Sequence, residues 1–117
     1  MLNYSSPTLD GLFHALADPT RRGIVDRLSR SPATVSDLAE PLEISLPGVL
    51  QHLKVLEASG IVRSEKTGRV RTCHLDTGAL RTIEEWVAAR RANWTADLNR
   101  LEEFLMNDAD NTNLDDR

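Results

Sequence analysis

The chain has 117 residues, with 14 Lys and Arg against 18 Asp and Glu, a formal net charge of −4 and a single cysteine. That length fits one domain able to bury well over half of the surface of its unfolded chain, and the composition is that of a globular protein. No apolar run approaches a membrane span, the start lacks a basic stretch followed by an apolar one, and Cys73 alone allows no internal disulfide, so a cytoplasmic protein in a reducing compartment is expected.

Residues 1–7 are expected to form a loose arm, followed by a domain over 8–107. Leu9, Leu12, Phe13 and Leu16 recur at helical spacing, which predicts a first helix from Thr8 to Ala17. Asp18-Pro19 is a restart signal, an N-cap followed by proline at the first helical position. The second helix then runs from Pro19 to about Arg30 with Ile24, Val25 and Leu28 inward. Ser31-Pro32-Ala33 reads as a turn. Thr34 followed by Asp37 resembles a capping box that opens a short third helix carrying Val35, Leu38 and Ala39 and ending near Pro41.

The stretch from Ile44 to Gly60 organises the chain. Ser45 is a suitable N-cap, Pro47 is tolerated in the first turn, and Gly60 is a natural stop. Leu46, Val49, Leu53 and Leu56 make one apolar stripe. At about 100° per residue, Pro47, Gly48, Gln51 and Lys54 fall opposite it, with Leu50 and His52 on the flanks. Small residues near the start and an amide one turn later suit a helix tip that approaches base edges. Two helices joined by a short turn, the second with a polar outer face, make a helix-turn-helix.

After Gly60 the pattern changes to β. Ile61–Lys66 and Arg69–Leu75 are rich in β-branched residues and alternate in polarity, with Thr67-Gly68 as the turn. The tip of this hairpin is basic, through Lys66, Arg69 and Arg71. From Thr77 to about Asn107 the chain reads as one long helix. Leu80, Ile83, Val87, Trp94, Leu98, Leu101 and Leu105 follow a nearly heptad rhythm that breaks at Arg90 and Arg91, and Trp86 and Phe104 widen the stripe. That is more apolar surface than a small domain needs for its own core, and it predicts a dimer seam shared with the first helix. Residues 108–117 are polar and acidic and are expected to be disordered.

Charge is unevenly placed. Residues 19–75 carry nine basic against six acidic side chains, a net of +3, whereas residues 102–117 carry one against six, a net of −5. A basic middle with an acidic tail allows local attraction to phosphate. Catalysis finds little support: there is no phosphate-cradling glycine loop and no nucleophile elbow. Glu84-Glu85 and Glu102-Glu103 are helix neighbours whose side chains diverge. The candidate metal ligands His14, His52, Cys73 and His74 lack the convergence of three or four groups that zinc requires, so no metal and no cofactor are expected. A redox role for Cys73 would need an exposed thiolate.

Residues 12–105 resemble the ArsR/SmtB family of winged-helix transcriptional repressors. The resemblance rests on Ala15-Leu16-Ala17-Asp18-Pro19-Thr20-Arg21-Arg22, Ser36-Asp37-Leu38-Ala39, the stretch Ser45 to Leu56, Gly60-Ile61-Val62-Arg63 and Gly68-Arg69-Val70-Arg71. It implies a mainly α winged helix-turn-helix with a small β-hairpin, in the order α-α-α-α-β-β-α. It implies a homodimer on a palindromic double-stranded operator, often that of its own operon, with no membrane partner and an inducer of unknown kind. The expected DNA contacts are Thr34, Ser36, Ser45, Pro47, Gly48, Leu50, Gln51, His52, Lys54, Lys66, Arg69 and Arg71. Within this set, Gln51 is assigned to an adenine edge, Leu50 to a thymine methyl, and Arg69 and Arg71 to phosphate. The expected seam comprises Leu9, Leu12, Phe13, Leu16, Leu80, Ile83, Val87, Trp94, Leu98, Leu101 and Leu105. Two departures from the family stand out. Many members have serine where this chain has Leu50 and a cation where it has Gln51. The paired cysteines of soft-metal sensors are missing from the third helix, and the histidines of zinc sensors from the last.

Overall fold

The computed structural model describes residues 8–115, and side chains over residues 8–108. The expected arm over residues 1–7 lies outside this range. The chain divides into two compact units, one ending at Ile83 and one starting at Glu84.

In the first unit, α1 (Leu9–Leu16) is capped by Thr8, whose Oγ1 accepts the Gly11 N–H at 3.1 Å. α2 (Pro19–Leu28) is capped by Asp18, whose Oδ2 accepts the Arg21 N–H at 3.0 Å. The two arginines that follow then reach back over the corner. Arg21 donates to the carbonyls of Ala15 at 2.7 Å and His14 at 3.2 Å, and Arg22 to that of Leu16 at 2.8 Å. Carbonyls at a helix C-terminus have no partner within the helix and carry partial negative charge, so guanidinium groups suit them. The Asp-Pro-Thr-Arg-Arg run is thus a corner that starts one helix and closes the previous one.

α3 (Val35–Leu42) opens with the complete capping box, Thr34 Oγ1 accepting the Asp37 N–H at 3.1 Å and Asp37 Oδ2 accepting the Thr34 N–H at 3.2 Å. α4 (Leu46–Ser59) starts at Ser45, whose Oγ accepts the Gly48 N–H at 3.2 Å, and stops at Gly60, which takes a left-handed φ of 86°. Leu12, Ile24, Leu38, Val49, Leu53, Leu56 and Ile61 fill the core between these helices.

The sheet has three strands in the order β1-β3-β2: β1 (Ala33–Thr34), β2 (Val62–Thr67) and β3 (Val70–Leu75). The sequence predicts only a turn where β1 begins. Two residues are too few to show alternation, yet buried Ala33 pairs with Cys73 and Thr34 with Thr72. The hairpin turn also sits one residue later than expected, at Gly68-Arg69, because Thr67 pairs with Val70. Gly68, at φ 64°, takes the first loop position, where a two-residue turn of matching twist favours glycine. Lys66 therefore stands opposite Arg71, and Ser64 opposite Cys73.

α5 (Thr77–Asp115) begins in the first unit, where Ala79 is buried and Ile83 packs on the core. From Glu84 to Asp108 every side chain is exposed. The disorder expected over residues 108–117 is corrected for residues 108–115, which continue the helix. No glycine or proline follows Gly78, and an established helix gains a hydrogen bond with each residue added. A scarcity of apolar residues argues against packing of the tail, not against its helicity. Among the described residues, no helix is long and apolar enough to cross a membrane.

Candidate nucleic-acid interface

α4 buries Val49, Leu53 and Leu56 against the core, which leaves Pro47, Gln51 and Lys54 exposed on its outer face and Gly48 half-exposed. Leu46 departs from the expected stripe. It is 49% exposed, and Leu50 is 41% exposed. Leu46 opens the helix one turn before the first buried layer at Val49, so its side chain has no core to enter. His52, also in the expected contact set, has neighbours of its own within the fold. Its Nδ1 lies 3.8 Å from Asp18 Oδ2 and 3.5 Å from Arg21 Nη1, which ties the ring to the α1–α2 corner.

Between the starts of α3 and α4 and the hairpin lies an open cleft of about 600 Å³. Val35, Leu46, Leu50 and Val70 give it apolar walls, and Thr34, Ser36 and Ser64 place hydroxyl-bearing residues along it. Its charged lining residues are Lys66, Arg69 and Arg71, all basic. Thr34 and Ser45 are already engaged through their oxygens as caps of α3 and α4.

Arg71 does not stand as a free wing cation. Its Nη2 donates to both carboxylate oxygens of Glu57 on α4, each at 3.1 Å, and its Nε to Ser64 Oγ at 3.0 Å. Ser64 in turn donates to Glu57. The register places Arg71 beside Ser64 on the face that also carries buried Cys73, so its guanidinium meets α4. This network fastens the hairpin to α4. Sequence spacing carries no sign of it, because Glu57 and Arg71 are brought together only by the hairpin's position on α4.

Other cations are also engaged internally: Arg21 and Arg22 at the corner, Arg27 on Ser31 at 3.0 Å, and Arg63 on Glu65 at 3.3 Å. Among the described residues, Arg30, Lys54, Lys66 and Arg69 make no ion pair and donate no side-chain hydrogen bond. The last three belong to the expected contact set.

The Arg21 N–H holds the Asp18 carboxyl below its ordinary value, with smaller help from the Arg21 and His52 charges. Burial pushes the Cys73 thiol up, and Glu57 adds to this while Arg71 opposes it. Cys73 is wholly buried, which removes the exposure a redox role requires. His74, its neighbour, faces Glu65 at 3.9 Å, and His14 is exposed on α1. Among the described residues, no three His, Cys, Asp or Glu side chains converge to hold a metal.

The expected seam residues divide. Leu12 is fully buried, and Leu16 and Ile83 pack against the same core, so the face of α1 that includes Leu12 serves the chain's own core. Leu9 and Leu80 are half-buried and Phe13 is 41% exposed. In the second unit, Val87, Trp94, Leu98, Leu101 and Leu105 are exposed, together with Trp86, Phe104 and Met106. Arg90, where the heptad rhythm breaks, lies over the Trp86 ring at 4.9 Å.

The family profile described as a helix-turn-helix domain matches residues 16–65, the span from the end of α1 into the hairpin. The chain is 38% identical over 116 residues to the HTH-type transcriptional regulator Rv2034 of Mycobacterium tuberculosis, covering 96% of this chain and 100% of that protein. It is 32% identical over 79 residues to the transcriptional repressor SdpR of Bacillus subtilis, covering 68% and 88%. Among solved structures, an ArsR family transcriptional regulator is 49% identical and superposes with a TM-score of 0.71, covering 74% of this chain and 94% of that one.

Proposed function

This chain belongs to the ArsR/SmtB family of winged helix-turn-helix transcriptional regulators, and from that premise we propose that it acts as a homodimer that sets one α4 into each half of a palindromic operator. Bound there, it represses its own operon by excluding RNA polymerase from an overlapping promoter. The observation that carries this reading is the joint exposure of Gln51 and Lys54 on α4 and of Lys66 and Arg69 on the wing, the two wing cations having no ion-pair partner among the described residues. The amide supplies base-edge hydrogen bonds, and the cations supply phosphate contacts that fix register without reading sequence.

Dimerisation draws on the exposed apolar residues of α5 beyond Ile83. A helix that exposes Trp94, Leu98, Leu101 and Leu105 gains from pairing along a heptad seam. Among the described residues no three candidate ligands converge, so this reading includes no metal inducer.

One observation favours a second reading, a dimeric scaffold with vestigial DNA binding: Arg21, Arg22, Arg27, Arg63 and Arg71 are all engaged within the protein. Mobility shift on the region upstream of the chain's own gene, with unrelated duplex as competitor, separates the two. Regulation predicts a complex that survives excess competitor at moderate salt. Equal displacement by any duplex favours the scaffold.

A further inference from the structure

We propose that the cleft between α4 and the wing reads thymine methyl groups: Leu46 and Leu50 receive the C5-methyls of an A·T-rich half-site, while Lys66 and Arg69 hold flanking phosphates. This rests on the DNA-binding reading and names what the same surface selects.

The two leucines stand one helical turn apart at the start of α4, 49% and 41% exposed. Neither can accept or donate a hydrogen bond, so neither can pair with the polar edges of guanine, cytosine or adenine. Of the four bases, only thymine presents an apolar group, its C5-methyl, in the major groove. Pro47 and Gly48, lying between the leucines in sequence, are small enough to let the helix start approach the base pairs. Four residues of helix advance about 6 Å, close to two base steps. Two thymines separated by about that distance therefore meet the two side chains. Gln51, adjacent to Leu50, supplies the pattern that suits adenine N6 and N7, the partner base of the same A·T pairs.

Charge selects a nucleic acid over an apolar peptide or small molecule as the occupant. Lys66 and Arg69 border the apolar walls, no acidic residue lines the cleft, and neither cation has an internal partner among the described residues. Val70 extends the apolar wall onto the wing at 51% exposure. A polyanion that carries methyl groups on its inner edges matches both features at once.

The test starts from a random duplex library selected by the full chain. Each thymine of the enriched sequence is then replaced singly by deoxyuridine, which removes the methyl and leaves the hydrogen-bond pattern intact. The expected result is a loss of about fourfold in affinity at one or two thymines per half-site, the value of burying one methyl group. Leu46→Ala and Leu50→Ala should each abolish the sensitivity at one of these thymines. Both side chains are exposed, so melting temperature should confirm that the variants remain folded. An enriched sequence whose thymines are all indifferent to the replacement overturns this inference alone, as does sensitivity that persists in both variants. A library that yields no enriched sequence overturns the DNA reading, and this inference with it.

Discussion

The charge of Arg71 is answered within the protein, by Glu57 and Ser64, and this changes what its removal should do. Replacing a cation that touches phosphate makes the slope of log affinity against log salt shallower by roughly one unit for each phosphate no longer neutralised. Arg69→Ala should show that change for each subunit. Arg71→Ala should leave the slope nearly as it is and instead lower stability by about 1–2 kcal/mol, through the loss of charge-assisted hydrogen bonds on a partly exposed pair. Titrations at several salt concentrations and thermal melts check both; a salt slope that falls with Arg71→Ala would return it to the phosphate set. Asp18 gives a second prediction at this scale. Its carboxyl is held below the ordinary carboxylate value, so its contribution to stability is complete above that value and is lost as pH falls through the lowered one. Over about pH 2–5 the melting temperature of the wild type should fall more steeply than that of Asp18→Asn, which keeps the cap and cannot titrate. Parallel curves would contradict this. Residue types in the site are legible in the sequence; their partners are not. Gln51 and Lys54 follow from helical periodicity, whereas the pairing of Arg71 with Glu57 needs a tertiary position that no local pattern encodes. Leu46 escapes the expected stripe because periodicity says which side of a helix a residue is on, not how far along the helix the core extends.

Elements whose signals are local are the readable ones. Asp18, Thr34 and Ser45 all cap the helices they precede, and Gly60 closes α4, because each cap is decided by a few adjacent residues. The two-residue strand β1, the one-residue offset of the hairpin turn and the continuation of α5 to Asp115 are not readable in this way. The first two depend on partners distant in sequence, and the third on helix propagation where composition suggests disorder. The α1–α2 corner offers the sharpest test at this scale. Arg21→Ala removes the donors that close α1 at His14 and Ala15 and the interaction with His52, while leaving the backbone N–H that binds Asp18. A destabilisation of about 1.5–3 kcal/mol is expected for hydrogen bonds from a charged donor, seen as a drop of several degrees in melting temperature. An unchanged melting temperature would show that water caps α1 equally well.

At the scale of the whole molecule, the chain exposes more apolar surface than a core of its own consumes. Leu98 and Leu101 are 46% and 53% exposed, so exchanging both for glutamate removes nothing from the subunit's interior. In a dimer paired along this seam, the same exchange places charge in an apolar interface at a cost of several kcal/mol. Sedimentation should then give a folded monomer where the wild type gives a dimer; a double variant that stays dimeric would place the seam elsewhere. A net charge of −4 is no obstacle to DNA binding when Lys54, Lys66 and Arg69, which have no ion-pair partner among the described residues, gather about α4 and the wing. In the proposed complex the outer face of α4 reads sequence while the wing only anchors, and Gln51→Ala separates the two roles. The affinity of this variant should be measured on the operator and on a scrambled duplex across a range of salt. The operator complex should weaken by about 1–3 kcal/mol more than the scrambled one, with the salt slope unchanged. Equal weakening on both duplexes, or full retention of preference for the operator, would contradict it.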